Sequence, residues 1–386
     1  MHHHIVALET VHQPLPSSFS FPPGTTYTLT TYPTTPPTLL ATRIHPATIL
    51  IVTTIRLPAS LLLDPTCTPN LHLIAIMATG TDPVDLAACA ARGIRVVNCP
   101  GANLDAVSEH AIGLYFAARR RTVLLDRMVR DRKRPSVWKE RGSLKMWMET
   151  GVEGEGEEGK GWGRRPPLTC QEEVMGVVGY GGLGRRIAKL ARGLGMRVVV
   201  SGRKGEVVDT DPVVDGETRS DAEEKVEKEE DQDQDEDIIP PFSETETSDN
   251  PTRLPFTTVL RLSTVLVLSL PRTPSTLNLI SDPELALLSP HTLIVNISRG
   301  GIVDEAAVMA ALRERRIAGY ATDVLAVEPA EGEEDSPLLS DEAEGLNVTV
   351  TPHLAWFAER TLRNLGGILK ETVEAWVGGR PINVIV

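Results

Sequence analysis

Several things are scarce in this chain of 386 residues, and each scarcity excludes something. Four cysteines, Cys67, Cys89, Cys99 and Cys170, show neither CxxC spacing nor the density of a disulfide framework, so reduced, inert thiols are expected. No window holds the roughly 18 uninterrupted apolar residues that a membrane span needs. The N-terminus lacks a basic segment leading into an apolar one, which points to a cytoplasmic protein without a membrane partner. Aromatics make up only 4% of the chain, yet 41% apolar residues can still build two cores, and two domains are the expectation at this length. The three histidines at 2–4 are a short compositional signal, too weak to argue for a metal, and none is expected.

Excess charge is also missing once its location is considered. The formal net charge is −13, but residues 206–250 hold 19 Asp and Glu against 3 Lys and Arg, a balance of −16, so the remaining 341 residues sum to +3. That near-neutral remainder gives no reason to expect a nucleic-acid partner. The acidic stretch has few large apolar residues and strong self-repulsion, and it reads as a flexible insert. The Gly-rich stretch 151–167, GVEGEGEEGKGWGRRPP, reads as a second one.

With both inserts set aside, β-like runs alternate with helical patterns. IVALE, TYTLTTY, ATILIVTT, HLIAIMAT and IRVVNC read as five strands in the first hundred residues, with a short helix over DPVDLAACAARG. DAVSEHAIGLYFAARR puts Val107, Ala111, Leu114, Tyr115 and Ala118 on one helical face, with Asp105 as the expected N-cap. From Val174 a second series begins: VMGVV, RVVVS, TVLVLSL, LIVNI, GYATDVL and NVTVT. Continuous apolar runs of this kind predict strands covered on both faces, as in a parallel sheet wrapped by helices. Between the first two of them, Leu183, Ile187, Leu190, Ala191 and Leu194 keep helical spacing and Gly195 can close the helix. Near the chain end, Leu362, Leu365, Ile368, Leu369, Val373 and Trp376 form an apolar stripe, and that helix returns to the first domain.

The chemistry begins at GYGGLG, where an apolar strand turns into an amphipathic helix, the context that makes a GxGxxG pattern diagnostic of dinucleotide binding. Gly179 allows the tight turn, Gly181 lets backbone approach a pyrophosphate, and Gly184 lets helix and strand pack closely. The following strand ends in VVVSGRKG, and it lacks the acidic residue that ordinarily accepts hydrogen bonds from an adenosine ribose. Gly202 stands there instead, followed by Arg203 and Lys204, which can pair with a 2′-phosphate, so NADP(H) is favoured over NAD(H). Three more strand ends carry polar groups: Arg299 in LIVNISRGG, Asp323 and Glu328 in GYATDVLAVEP, and His353 in VTVTPHLAW.

The runs MATGTDPVDL, VNCPGANLDAVSEHA, GVVGYGGLGRR, LSLPRTPSTLNLI, VNISRGGIVDE, ATDVLAVEP and TPHLAW resemble, in order, the D-isomer-specific 2-hydroxyacid dehydrogenases. The likeness spans nearly the whole chain outside the two inserts. HLAW and the ending GGRPINVIV look most like the glycerate dehydrogenase and hydroxypyruvate reductase branch. The resemblance implies an α/β chain of two Rossmann-like doubly wound domains. A discontinuous substrate-binding domain, residues 1–104 and 357–386, would flank a central NAD(P)-binding domain, residues 105–356. It implies that Arg299, Glu328 and His353 are catalytic. Thr79 and Gly80 match the loop that binds the substrate carboxylate, together with Arg299. Gly182, Leu183, Leu270, Ser298 and Asp323 match cofactor-contacting positions. The expected activity is NAD(P)H-dependent reduction of a small 2-oxoacid, hydroxypyruvate or glyoxylate, and the reverse oxidation. His353 would supply the proton, with Glu328 stabilising the charged imidazole. A homodimer through the nucleotide domain is also implied. The rival expectation is a nucleotide-sensing protein of corepressor type on the same fold.

Overall fold

The computed structural model describes residues 1–130, 137–150, 165–205 and 251–386. The acidic insert expected at 206–250 lies outside them, as does that at 151–167 except for its last three residues. Twelve strands are described. Five of them, β1 (His2–Ala7), β2 (Thr26–Thr31), β3 (Ile49–Val52), β4 (Leu73–Ile76) and β5 (Arg95–Val97), form one sheet. The other seven, β6 (Val174–Val178), β7 (Arg197–Ser201), β8 (Arg253–Leu254), β9 (Val265–Leu268), β10 (Leu293–Asn296), β11 (Gly319–Thr322) and β12 (Val348–Val350), form a second. Twelve helices accompany them. Those before β6 are α1 (Pro37–Ile44), α2 (Ala59–Leu62), α3 (Leu86–Arg92), α4 (Leu104–Arg119), α5 (Thr122–Arg130) and α6 (Val137–Arg141). After it come α7 (Gly182–Gly193), α8 (Phe256–Leu262), α9 (Asp282–Leu285), α10 (Glu305–Arg313), α11 (Asp341–Glu344) and α12 (Glu359–Val377).

The chain divides into two compact units, one of Met1–Gly113 with Thr351–Val386, the other Leu114–Val350. These limits differ from those drawn on the sequence at 104 and 357. The first falls inside α4. The second assigns His353 to the first unit, where the neighbouring Trp356 packs against that unit's core.

In the first unit all strands run parallel in the order β2-β1-β3-β4-β5. The alternation of side chains along a strand sorts its residues to two faces. Ile5, Ala7, Ile49, Ile51, Leu73 and Ala75 meet Leu365, Leu369 and Val373 of α12, as the apolar stripe of that helix predicts. Val6, Leu8, Leu50, Val52, Ile74 and Ile76 cover the opposite face with Ile44, Leu62, Ala88 and Cys89. Strand β1 starts at His2, so the histidines are part of the sheet, paired with Thr26, Tyr27 and Thr28 of β2. Asp105 corrects one expectation: α4 begins at Leu104, which puts Asp105 inside the first turn, 3.1 Å from the Arg360 guanidinium.

The second unit is parallel throughout, ordered β12-β11-β10-β9-β6-β7-β8. Its strand order reverses between β6 and β9, the arrangement that opens a ligand crevice at the carboxyl ends of doubly wound sheets. Helix α7 buries Ile187, Ala188 and Ala191, but Leu194, expected on that stripe, is its exposed C-cap, and the chain reverses at Gly195 with φ +88°. Among the described residues no helix is long and apolar enough to cross a membrane. All four cysteines are unpaired, and burial pushes the Cys89 thiol up to about 11 and Cys99 up to about 12.

A buried ion pair ties the amino ends of this sheet to α4. Arg119 Nε lies 2.5 Å from Glu173 Oε1, and Nη2 donates to Glu173 Oε2 at 2.8 Å and to the Thr264 carbonyl at 2.9 Å. Tyr115 and Thr264 hydroxyls also donate to the carboxylate, which has no solvent exposure. Removing one partner strands the other charge. Glu173→Ala is therefore expected to cost about 3–5 kcal/mol in chemical denaturation, and a loss below about 1 kcal/mol would show that water compensates the arginine. Beside the pair, burial, with repulsion from Arg165 and Arg119, pushes His291 down to about 4. An imidazole kept neutral when folded but titrating near 6.5 when unfolded contributes stability above about pH 6.5 that is lost as pH falls toward 4. His291→Gln should flatten that slope in a pH series of denaturation midpoints.

Candidate active site

The glycine loop after β6 separates two reasons for having glycine. At Gly179, φ is +95° and a Cβ would stand 2.6 Å from the Ser269 carbonyl oxygen, whose own hydroxyl donates to the Gly179 carbonyl at 2.6 Å. At Gly184 a Cβ would stand 2.1 Å from the Gly179 carbonyl oxygen. Both glycines are demanded by the protein's own packing. Gly181, the N-cap of α7, has φ −82°, and a Cβ there would meet nothing within 4 Å. The space it leaves is open, with the unsatisfied N–H groups of the α7 N-terminus behind it, and this fits a diphosphate approaching the backbone. Gly182 is exposed beside it, and Leu183 and Leu270 are half-buried. A matched pair of variants exploits the contrast. Gly184→Ala should lower stability by about 1–3 kcal/mol through overpacking. Gly181→Ala should unfold where the wild type does, yet bind NADPH at least about tenfold more weakly, a loss of about 1.4 kcal/mol. Unchanged NADPH titration in Gly181→Ala would remove the loop from the cofactor site.

At the end of β7, the Gly202 N–H donates to the Leu254 carbonyl of β8 at 2.8 Å, which fixes the start of the turn. Arg203 is exposed at its crest. Lys204 reaches a different partner from the one its neighbour suggests: its Nζ lies 2.7 Å from Oε1 of the buried Glu284 in α9.

The ends of β10 and β11 are built as one assembly within the second unit. Asn296, buried at the last position of β10, accepts from the Ser298 N–H and hydroxyl at 3.1 and 2.8 Å and donates to the Arg299 carbonyl at 3.0 Å. Its own carbonyl accepts from the Asp323 N–H at 3.0 Å. Arg299 Nη1 donates to the Ser298 carbonyl at 2.7 Å, and the side chain is half-buried. At Gly300 a Cβ would stand 1.7 Å from the Leu325 carbonyl oxygen, so only glycine lets the Arg299 loop touch the one carrying Glu328. That second loop is closed by Glu328, whose carboxylate accepts from the Leu325 N–H at 2.7 Å. Glu305 of α10 accepts from the Ala326 N–H at 2.7 Å. Ser298 and Asp323 are buried at the base of the assembly, while Glu328 is exposed. Asn296, Gly300 and Glu305 were not singled out from the sequence. The legible signal was a polar residue closing the apolar strand LIVN.

In the first unit, Thr79 and Gly80 follow β4 and are half-buried. The Thr79 hydroxyl donates to Cys99 O at 3.1 Å and Asn103 Oδ1 at 3.2 Å, and Thr79 O accepts from Asn98 Nδ2 at 2.8 Å. The Thr79 side chain is thus committed to holding the loop, which leaves backbone groups to meet a ligand. His353 is exposed with φ +55°, a left-handed conformation rare outside glycine. Two bonds hold it there: its N–H donates to the Thr351 carbonyl at 3.0 Å, and its carbonyl accepts from the Trp356 indole Nε1 at 2.9 Å. Among the described residues no group of three or more His, Cys, Asp or Glu could hold a metal ion.

Residues 238–355 match the family described as D-isomer specific 2-hydroxyacid dehydrogenase, NAD binding domain. The glycerate dehydrogenase of Methylorubrum extorquens is 33% identical over 317 residues, covering 82% of this chain and 79% of its own length. The glyoxylate reductase of Thermococcus litoralis is 28% identical over 318 residues, covering 82% and 77%. Among solved structures, an NADPH-dependent glyoxylate/hydroxypyruvate reductase from Sinorhizobium meliloti shares the fold, with a TM-score of 0.68 at 22% identity over 99% of this chain and 97% of that one.

Proposed function

Given that the chain belongs to the D-isomer-specific 2-hydroxyacid dehydrogenases, we propose that it reduces a small 2-oxoacid, of hydroxypyruvate or glyoxylate type, with NADPH preferred over NADH. The nicotinamide, when bound, supplies the hydride. Everything else falls to side chains of this protein. Arg299 binds the substrate carboxylate and polarises the ketone, and Thr79 and Gly80 match the family's carboxylate-binding loop. His353 donates the proton to the new hydroxyl, and Glu328 matches the family's catalytic glutamate. The glycine loop of 179–184 with Leu183, Leu270, Ser298 and Asp323 forms the cofactor bed, and Arg203 meets the 2′-phosphate.

The observation that carries this reading is the Asn296–Arg299–Gly300 arrangement, which holds the backbone bearing the Arg299 side chain at the carboxyl end of β10, with Gly300 against the loop bearing Glu328. Buried amide bonds and a glycine contact too close for any Cβ are a costly way to place a surface charge, and a natural way to place a ligand for a carboxylate. The names of the similar enzymes support the substrate class, and Gly202 in place of an acid supports the cofactor. The exposed Phe116, Trp138 and Met146 on and beside α4 and α6 are consistent with the homodimer proposed through this unit.

The test is a set of initial rates with a panel of 2-oxoacids, each run with NADPH and with NADH. Steady turnover of hydroxypyruvate or glyoxylate, faster in kcat/KM with NADPH, is expected. Absence of turnover with every 2-oxoacid while NADPH still binds would leave the protein a nucleotide sensor.

A further inference from the structure

The turn after β7 presents two neighbouring cations, Arg203 and Lys204. Lys204 donates to Glu284 Oε1 at 2.7 Å, and the other oxygen, Oε2, accepts from the N–H and hydroxyl of Ser281 at 3.2 Å each. Glu284 therefore closes the capping box of α9 and binds Lys204 with the same carboxylate. Its side chain is only 7% exposed, so Lys204 is, among the described residues, the cation paired with a carboxylate water scarcely reaches. Burial alone would raise the Glu284 carboxyl, but bonds from Lys204 and Ser281 outweigh it and hold the group below the usual carboxylate range. A ligand phosphate competing for Lys204 would have to leave that carboxylate stranded, which is the expensive outcome for a buried charge.

We infer that Glu284 is a specificity-determining positioning residue: it withholds Lys204 from the nucleotide, so that Lys204 is not a ligand of the 2′-phosphate. The inference rests on the NADP(H) reading of that turn. The turn has two anchors on either side of Arg203, the Gly202 N–H on Leu254 O at 2.8 Å and Lys204 on Glu284. Glutamine at 284 can keep the capping box, because an amide oxygen also accepts from Ser281, but it carries no charge to retain the lysine.

The experiment is calorimetric titration of the full-length protein with adenosine 2′,5′-bisphosphate and with 5′-AMP, reading the ratio of their affinities. Lys204→Ala should leave the ratio within about twofold, whereas loss of a charge-assisted phosphate ligand would lower it about tenfold or more. Glu284→Gln should raise the ratio about three- to tenfold by releasing the lysine, and Lys204→Ala in the Glu284→Gln background should abolish the rise. A tenfold fall in Lys204→Ala alone, or an unchanged ratio in Glu284→Gln, overturns the inference. Failure of the cofactor reading looks different: the wild type then binds both probes alike and Arg203→Ala changes nothing. In that case a rise in Glu284→Gln still supports the lock and its absence still refutes it. Comparing Glu284→Gln with the double variant keeps the test sound should Lys204→Ala misfold, because neither protein contains an uncompensated buried carboxylate.

Discussion

His353→Ala is expected to lose about 100- to 10,000-fold in the rate of 2-oxoacid reduction, the range typical of a positioned general acid, while its affinity for NADPH stays within about twofold. Two features point to this residue. A non-glycine φ of +55° costs on the order of 1–3 kcal/mol and persists only where the surroundings over-determine it. Here they do: Pro352 precedes the residue, Thr351 O accepts its N–H, and the Trp356 indole holds its carbonyl. Such a backbone fixes the direction in which the side chain of an exposed histidine leaves the chain, which a packed or solvated histidine has no need of. Because no cofactor role is assigned to the ring, fluorescence titration with NADPH separates lost chemistry from lost binding. Near-normal kcat in His353→Ala would remove the proton donor from this proposal, and a parallel loss of NADPH binding would mean that the variant disturbs the fold.

The strands were legible because burial on both faces leaves uninterrupted apolar runs, as in ILIV of β3 and VLVL of β9. The glycine loop was legible because its spacing answers to contacts within six residues, Gly184 against Gly179 O. What escaped was long-range or short. Strand β8 is two residues, Arg253 and Leu254, with no period to read, and it pairs with β7 across the acidic insert. Helix α4 starts one residue before its expected cap, with Asp105 in its first turn beside Arg360 of α12. Nothing in local sequence marks Lys204 for a partner, and only the fold brings Glu284 to it. The same holds for Arg119 and Glu173, whose pairing no local pattern announces. In the site, types of residue at strand ends were readable, whereas the parts that hold them, Asn296, Gly300 and Trp356, act through backbone carbonyls and close approaches that composition does not encode.

Arg299→Lys is expected to lower kcat/KM for a 2-oxoacid by about 100-fold or more, despite keeping the charge. The guanidinium is a planar fork that can meet a carboxylate with two parallel donors, and an ammonium on a flexible stem reproduces at most one of them. A hydrogen bond to a charged group is typically worth about 1.5–3 kcal/mol, so losing one of the pair accounts for about 10- to 100-fold. The remainder follows from geometry. Arg299 Nη1 is steadied by the Ser298 carbonyl at 2.7 Å, and lysine, with a single nitrogen, could keep that bond only at the expense of its contact with a ligand. The backbone at this position is held independently of the side chain, by Asn296 Nδ2 on the Arg299 carbonyl and by Gly300 against Leu325. The variant should therefore fold with the wild-type denaturation midpoint and bind NADPH unchanged, so that the loss appears in substrate KM and in kcat together. Arg299→Ala should be worse still, and free guanidinium should restore part of its rate. A kcat/KM for Arg299→Lys within about threefold of wild type would take Arg299 out of the site and reduce the assembly at the end of β10 to a structural brace.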